Sequence, residues 1–184
     1  MELDPADPSQ VLMTFHLKEG TWMGVGLGTS SMTSSSDMIQ IESDAQMAHD
    51  MTSRGFRSPL KDNRNNLTHS WAKNEQNGYH VVTVRRALDT GDENDYVIPL
   101  DTKFDMSWAV NTSTSSISSY HSKRGSFTAY LPSPTNSQPT WDDKDGDKDE
   151  YNDIRDRFVD FFEVESARAL TVALGSLAFT ALAF

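Results

Sequence analysis

Four charged residues that lie close together in the chain offer the clearest local chemistry. Arg86, Asp89, Asp92 and Asp95 surround Thr90-Gly91, a dipeptide typical of turns. The functional interpretation of this group is that its carboxylates bind calcium or another cationic ligand. The structural interpretation is a turn whose ion pairs fix the register of the adjoining strands. We favour the structural interpretation.

Other groups with possible chemistry are less specific. Residues 142–150 form an acidic run, but its glycine, Gly146, is misplaced for a calcium loop and no glutamate follows at the required position. We therefore predict a solvated acidic linker there. The remaining histidines share no metal-ligand spacing, which argues against a zinc site: His16, His49, His69 and His80. No catalytic triad order, carboxylate pair, P-loop or dinucleotide fingerprint is present, so we predict that the chain is not an enzyme.

Composition narrows the function classes. The chain has 184 residues and a net charge of -11, which argues against nucleic-acid binding because that requires clustered Lys and Arg. It has no cysteine, which excludes disulfides, thiolate metal sites and covalent attachment of haem through Cys-x-x-Cys-His. Residues 1–5 lack the basic and apolar regions of a secretory leader. Either a leader is missing from this sequence or the protein enters its compartment another way.

The elements that must position these residues are short β-strands. Val11, Met13, Phe15 and Leu17 alternate with the intervening residues, which predicts a strand with one buried face. The further strands that the pattern predicts cover residues 21–27, 37–42, 79–86, 97–100, 104–111 and 125–131. The segment 43–77 is polar without a clear period, and no helix is predicted before residue 150. Spacing of this kind is typical of an all-β sandwich or barrel.

The C-terminal part of the chain differs from the rest. We predict a Pro-rich and acidic linker over residues 132–152 and a helix over 153–184. Residues 169–184 carry no charge and would span roughly 24 Å as a helix, against a hydrocarbon core of ~30 Å. Extension back to Ala167 lets Arg168 reach the interface, so a membrane anchor over 167–184 is favoured. A helix buried in a partner protein and a cleaved lipid-anchor signal are the alternatives.

Three sequence blocks together resemble the DOMON domain family. They occur in the order of the family and cover roughly residues 9–131, leaving residues 1–131 as the predicted domain. The first block is Trp22-Met-Gly-Val-Gly-Leu-Gly28 with Met32 and Ser36-Asp37-Met38; the second is Arg86-Ala-Leu-Asp-Thr-Gly-Asp92 with Asp95; the third is Ser107-Trp-Ala-Val110 with Tyr120-His-Ser-Lys-Arg-Gly-Ser126.

The resemblance implies an immunoglobulin-like β-sandwich on the extracellular, periplasmic or lumenal side of a membrane. Some family members bind b-type haem and pass electrons, such as the cytochrome domain of cellobiose dehydrogenase and DOMON modules fused to transmembrane cytochromes. Others bind sugars or serve as interaction modules. In the haem-binding members a Met and a His are the axial ligands, and the matching residues here are Met32 and His121. Such a six-coordinate iron suits electron transfer, because no position is open to a substrate.

The local sequence is compatible with that role. Met32 lies in the Ser-rich segment 29–36 and His121 follows the Ser-rich segment 112–119, so we expect two loops at one end of the sandwich to meet over a flat ligand. Glycines would let a porphyrin approach the backbone, and aromatic residues would pack on it: Gly24, Gly26 and Gly28, with Trp22, Trp108 or Tyr120. Met38 competes with Met32 as a ligand, Met23 fits the core, and His121 also fits a surface position beside a turn.

Three functions follow from these observations. The first is a membrane-anchored b-type cytochrome module that relays single electrons to a redox partner. The second is a haem-free interaction module that acts as an accessory subunit of a membrane complex. The third is carbohydrate binding through exposed aromatics such as Trp71 or Trp141. Glycosylation sequons at Asn66 and Asn111 are compatible with a secretory route.

Overall fold

The fold consists of two antiparallel β-sheets. The structure, a computed structural model, describes residues 1–74 and 78–134. Its strands are β1 (Glu2–Asp4), β2 (Asp7–Lys18), β3 (Trp22–Leu27), β4 (Ser34–Glu42), β5 (Met47–Arg54), β6 (Leu60–Lys61), β7 (Leu67–Asn74), β8 (Tyr79–Ala87), β9 (Lys103–Asn111) and β10 (Lys123–Tyr130). A four-stranded sheet has the order β1-β2-β8-β7, and a six-stranded sheet has the order β10-β9-β3-β4-β5-β6.

The core lies between the two sheets and follows the alternation of each strand. In β2, Val11, Met13 and Leu17 are buried, while His16 is exposed as predicted. In β3, residues 23, 25 and 27 face the same core, including Met23. Burial of these apolar side chains is the main force that holds the sheets together. The prediction of an all-β, two-layer fold is confirmed for the described residues, which contain no helix.

Several predicted boundaries differ from the observed ones. Strand β1 and the strands β5, β6 and β7 were not predicted, and the last three lie in the segment that appeared to have no period. The predicted strand over residues 97–100 is wrong. Pro99 lacks an amide hydrogen, and the backbone pairs at one point only, where the amide of Ile98 donates to the carbonyl of Leu88 at 2.9 Å. The side chain of Ile98 is nevertheless buried in the core.

The six-stranded sheet has a second face, turned away from the core, which we call the outer face. Its central positions are Trp22, Gly24 and Gly26 of β3, because residues 23, 25 and 27 point into the core. Strand pairing places Gln40 beside Gly24 and Met38 beside Gly26. On the other side of β3, pairing places Ser107, Ala109 and Asn111 of β9 in the same rows.

The connection between β9 and β10, residues 112–122, lies over this outer face, and we call it the cover. The Nε1 of Trp22 donates a hydrogen bond to the Oγ of Ser119 at 2.8 Å. The Nε2 of Gln40 donates to the carbonyl of Ile117 at 3.2 Å. The Nδ2 of Asn111 donates to the carbonyl of Tyr120 at 2.6 Å. The cover therefore shields Trp22 and Gln40, which are buried although they point away from the core.

Candidate functional site

The two predicted iron ligands follow opposite ends of the same pair of strands. Met32 lies half-buried in the loop after β3, where the amide of Thr29 donates to the carbonyl of Asp105 at 3.1 Å. His121 lies half-buried at the end of the cover, one residue before Ser122, whose amide donates to the carbonyl of Val110 at 2.8 Å. Because β3 and β9 are antiparallel, the loops that follow them leave the sheet in opposite directions.

The expectation that the two loops meet at one end of the sandwich is therefore wrong. Leu27 pairs with Met106 and Trp22 pairs with Asn111, so the points at which the two loops leave the sheet are separated by the length of β9 between these pairs. From Asp105 to Asn111 this distance is roughly 20 Å at ~3.3 Å per residue. The role of Met32 and His121 as ligands of one iron stays a prediction. It requires both side chains to reach over the outer face toward its centre.

The floor of the outer face suits a flat ligand, whereas the cover lies over that floor. Gly24, Gly26 and Ala109 are neighbours there and leave the backbone without large side chains. A Cβ atom on Gly26 would stand 2.5 Å from the Oγ of Ser107, so a larger residue there would require the Ser107 side chain to move. A thioether and an imidazole are suitable donors for a haem iron. Trp22 and Gln40, however, hold the cover on the same floor.

The aromatic residues expected beside the ligand divide between different places. Trp22 is buried on the outer face, as a wall of such a site requires. Trp108 points the other way: it pairs with Val25 and Gly125, and its ring packs against the core. Its predicted contact with a ligand on the outer face is therefore wrong. Tyr120 is 76% exposed and its ring lies 4.2 Å from that of His121, measured between centroids.

Met38 and His121 lie near the outer face and remain candidate ligands. Met38 is buried and lies beside Gly26, so it remains a competing thioether. Burial lowers the pKa of His121, and the nearby positive charge of Arg124 lowers this pKa further. Its imidazole is therefore neutral at physiological pH and has a ring nitrogen with a free lone pair.

A buried group of charges lies at the end of the sandwich where β3 leads into the Met32 loop. The side chain of Arg86 is fully buried, and its NH1 lies 2.7 Å from the Oδ2 of Asp37. Its NH2 lies 3.4 Å from the Oδ2 of Asp95 and donates to the carbonyl of Tyr96 at 3.0 Å. Asp50 completes the group, and its Oδ2 accepts a hydrogen bond from the amide of Asn66 at 3.0 Å.

The predicted set of four charged residues is thus divided. Arg86 and Asp95 are buried ion-pair partners, as the structural interpretation requires. Asp89 and Asp92 instead accept hydrogen bonds from the backbone of their own turn, at Gly91 and Asn94 respectively. Sequence reasoning missed Asp37 and Asp50. The only signal was that Asp37 and Asp50 interrupt the inward, otherwise apolar positions of β4 and β5.

Burial governs the electrostatics of this group. It raises the pKa of Asp37 to about 6, against the opposing effect of Arg86. It also raises the pKa of Asp50 to about 6, against the hydrogen bond from Asn66. Both shifts reflect the cost of holding a charged carboxylate away from water.

A polar cavity of about 320 Å³ opens beside these carboxylates. Asp37 and Asp95 contribute to its wall together with Tyr96. The rest of the lining is rich in oxygen atoms: Thr29, Thr33, Ser35, Ser36, Glu93 and Asn94. A pocket of this composition suits a hydrated or cationic ligand rather than an apolar one.

The structure also bears on the predicted carbohydrate-binding residues and glycosylation sequons. Trp71 is not an exposed sugar platform, because it packs against the core and its ring meets that of His80 edge-on at 5.6 Å. Trp141 lies outside the described residues. The amide nitrogens of both sequon asparagines are hydrogen-bond donors, from Asn66 to Asp95 and from Asn111 to Tyr120, so a glycan at either site would displace these bonds.

The predicted linker from residue 135 onward and the C-terminal helix also lie outside the described residues. Within the described part, no helix is long and apolar enough to cross a membrane. The membrane anchor over 167–184 therefore stays a prediction.

The sequence profile of the DOMON domain matches residues 6–111, more than half of the chain. The chain belongs to the DOMON domain family. This match confirms the resemblance that the three sequence blocks carry. No curated protein matches the chain.

Two solved structures are similar to the fold. The cytochrome b domain of pyranose dehydrogenase from Coprinopsis cinerea is similar over 68% of this chain and 69% of that chain, with 16% sequence identity and a TM-score of 0.50. The cytochrome domain of Myriococcum thermophilum cellobiose dehydrogenase is similar over 71% of this chain and 70% of that chain, with 15% identity and a TM-score of 0.49. At these identities the likeness concerns the fold, and function has to be argued from the residues of this chain.

Proposed function

We propose that this DOMON domain binds b-type haem over the outer face of its six-stranded sheet, with Met32 and His121 as ligands, and transfers single electrons. One observation carries the proposal: the Met32 loop and the segment with His121 follow opposite ends of the paired strands β3 and β9, and the floor between these ends is built from Gly24, Gly26 and Ala109. The family resemblance supplies the pairing of a thioether with an imidazole. When bound, the haem supplies a one-electron couple whose iron has no open position.

Each residue of the chain has a defined part in this function. The neutral imidazole of His121 offers a nitrogen lone pair without first losing a proton. The thioether of Met32 is a soft, uncharged donor. Trp22 contributes an apolar wall. Binding requires the cover to leave the floor, which breaks the hydrogen bonds of Trp22 and Gln40 to Ser119 and Ile117.

The test is reconstitution of the purified full chain with haem, followed by absorption spectroscopy. We expect a Soret band and the spectrum of a six-coordinate, low-spin iron. His121→Ala should abolish it, and Met32→Leu should convert the iron to a different coordination state. His16→Ala is the matched control, because its side chain is exposed and belongs to β2 of the other sheet. A chain that stays colourless, or variants that leave the spectrum unchanged, would overturn the proposal.

A second candidate is a haem-free interaction module of a membrane complex. The closed position of the cover favours it, because Trp22, Gln40 and Asn111 all bind the cover in the structure. The same spectra decide between the two candidates, since this one requires a colourless protein. Carbohydrate binding through Trp71 is not proposed, because that ring packs against the core.

We further propose that residues 167–184 anchor the protein in a membrane, with the sandwich on the extracellular, periplasmic or lumenal side. The uncharged sequence of residues 169–184 and the family resemblance support this placement. Catalysis is not part of the proposal, and the partners it requires are the membrane and a redox protein or another membrane subunit.

A further inference from the structure

The buried group of charges at the Met32 end has more negative charge than its partners balance. One ligand oxygen from each of Asp37, Asp50 and Asp95 lies within 4.8 Å of the other two. Arg86 is the cation that pairs with Asp37 and Asp95. Three carboxylates and one guanidinium leave two formal negative charges if all are ionised. A buried charge that lacks a partner is strongly unfavourable.

A second observation concerns a single oxygen atom. The side chain of Asp37 is only 2% exposed. Its Oδ2 lies 2.7 Å from the NH1 of Arg86 and accepts a hydrogen bond from the amide of Tyr96 at 2.8 Å. Its Oδ1 is buried and accepts no hydrogen bond from any residue that the structure describes. Buried polar atoms are nearly always satisfied in proteins, so this oxygen has an unmet need for a positive partner.

A polar cavity lies beside this group of carboxylates and gives a ligand an approach to it. Asp37 and Asp95 contribute to the wall of the 320 Å³ space, and hydroxyl groups of Thr29, Thr33 and Ser36 line it as well. The lining has no histidine or methionine. Oxygen donors of this kind select hard cations over soft ones.

We propose that Asp37, Asp50 and Asp95 bind a hard divalent cation, with Ca²⁺ as the preferred ion, at the inner end of the polar cavity. The irregular arrangement favours Ca²⁺ over Mg²⁺, because Ca²⁺ accepts flexible geometry with about six to eight oxygens and Mg²⁺ demands a near-ideal octahedron. Oxygens from water and hydroxyl groups would complete the shell. This site is separate from the outer face and does not depend on haem binding.

The charges around the site set its strength. Arg86 of β8 approaches from the four-stranded sheet and opposes the cation, while Glu93 faces the cavity from the connection between β8 and β9 and favours it.

The experiment uses the full chain after treatment with a chelator. At pH 7.5, saturating Ca²⁺ should raise Tm by at least about 4 °C, and Mg²⁺ should raise it less. Asp50→Asn should remove most of this rise, because it takes one carboxylate from the site and leaves the ion pairs of Arg86 in place. Asp89→Asn is the matched control: it makes the same change of charge in the exposed turn and should keep the rise.

A second measurement does not depend on the variant. Tb³⁺ bound at this site should luminesce when Tyr96 is excited, and Ca²⁺ should displace it. If Ca²⁺ neither raises Tm nor displaces Tb³⁺ in the wild-type chain, the proposal is overturned. An equal Ca²⁺ effect in the wild type and in a folded Asp50→Asn variant would also overturn it, since that result would indicate binding to the acidic surface.

Discussion

At the scale of single residues, Arg86 joins the two sheets. It belongs to β8 of the four-stranded sheet, and its guanidinium meets Asp37 of β4 in the six-stranded sheet. Its neighbour Arg85 points the opposite way and pairs near the surface with Asp4 and Asp7. One strand therefore carries a fully buried arginine and a half-exposed one, each paired with carboxylates.

This comparison gives a stability prediction. Arg86→Met should lower the free energy of unfolding by about 3–5 kcal/mol, because it leaves buried carboxylates without their cation. Arg85→Met should cost less, about 1–2 kcal/mol, because its side chain is 41% exposed and water reaches Asp7, although Asp4 is buried. Urea denaturation of both variants at neutral pH measures the difference. Equal midpoints would show that Arg86 contributes no more than a surface residue.

Sequence reasoning found half of this charged group. Arg86 and Asp95 lie in one turn sequence, so their proximity was readable from spacing. Asp37 and Asp50 lie in other strands, and only the pairing of Ile39 with Asp50 in the folded sheet brings Asp50 near Asp37. Such long-range proximity depends on strand register, which a single sequence specifies weakly when inward positions are charged.

At the scale of elements, strands with regular alternation were predicted and those without it were not. Residues of β8 alternate strictly between buried and partly exposed positions, and in β2 the buried positions Val11, Met13 and Leu17 lie on one face. The inward positions of β5 include Asp50, and those of β7 include His69, so their apolar period is broken. The inner faces of these edge regions carry polar groups that only the folded molecule can satisfy.

The pairing of β9 with β10 depends on one missing side chain. A Cβ on Gly125 would stand 2.8 Å from the ring of Trp108, whereas a Cβ on Gly24 would make ordinary contacts at 3.7 Å or more. We expect Gly125→Ala to cost about 1–3 kcal/mol through overpacking. Gly24→Ala should cost less than about 1 kcal/mol. Thermal unfolding of the two variants tests this order, and a larger loss for Gly24→Ala would contradict it.

At the scale of the whole molecule, strand order decides which loops can cooperate. The sequence correctly indicated that Met32 and His121 lie in loops. It could not show that β3 and β9 are antiparallel neighbours, which sends the Met32 loop and the cover to opposite ends. The site that we propose is therefore a face of the sheet between these two ends, instead of a pocket at one end.

The proposed membrane anchor is tested with the whole chain. The full chain should float with phospholipid vesicles in a density gradient, because residues 169–184 have no charge to oppose insertion. Substitution of Leu170 and Leu177 by Asp should return it to the bottom of the gradient, since charged groups are costly in hydrocarbon. Glu19→Gln and Lys73→Gln, at an exposed ion pair of the sandwich, are controls that should still float. Flotation that survives the Asp substitutions would contradict the anchor.

The way in which the cover is fastened has a consequence for the evolution of specificity. Trp22, Gln40 and Asn111 hold residues 117–120 by side-chain hydrogen bonds, and the backbone ladder between β9 and β10 begins only at Lys123. A longer, shorter or differently charged cover would leave every strand of the sandwich in register. Mutations confined to the cover can therefore change which molecules reach the sheet beneath it, with little loss of folding stability.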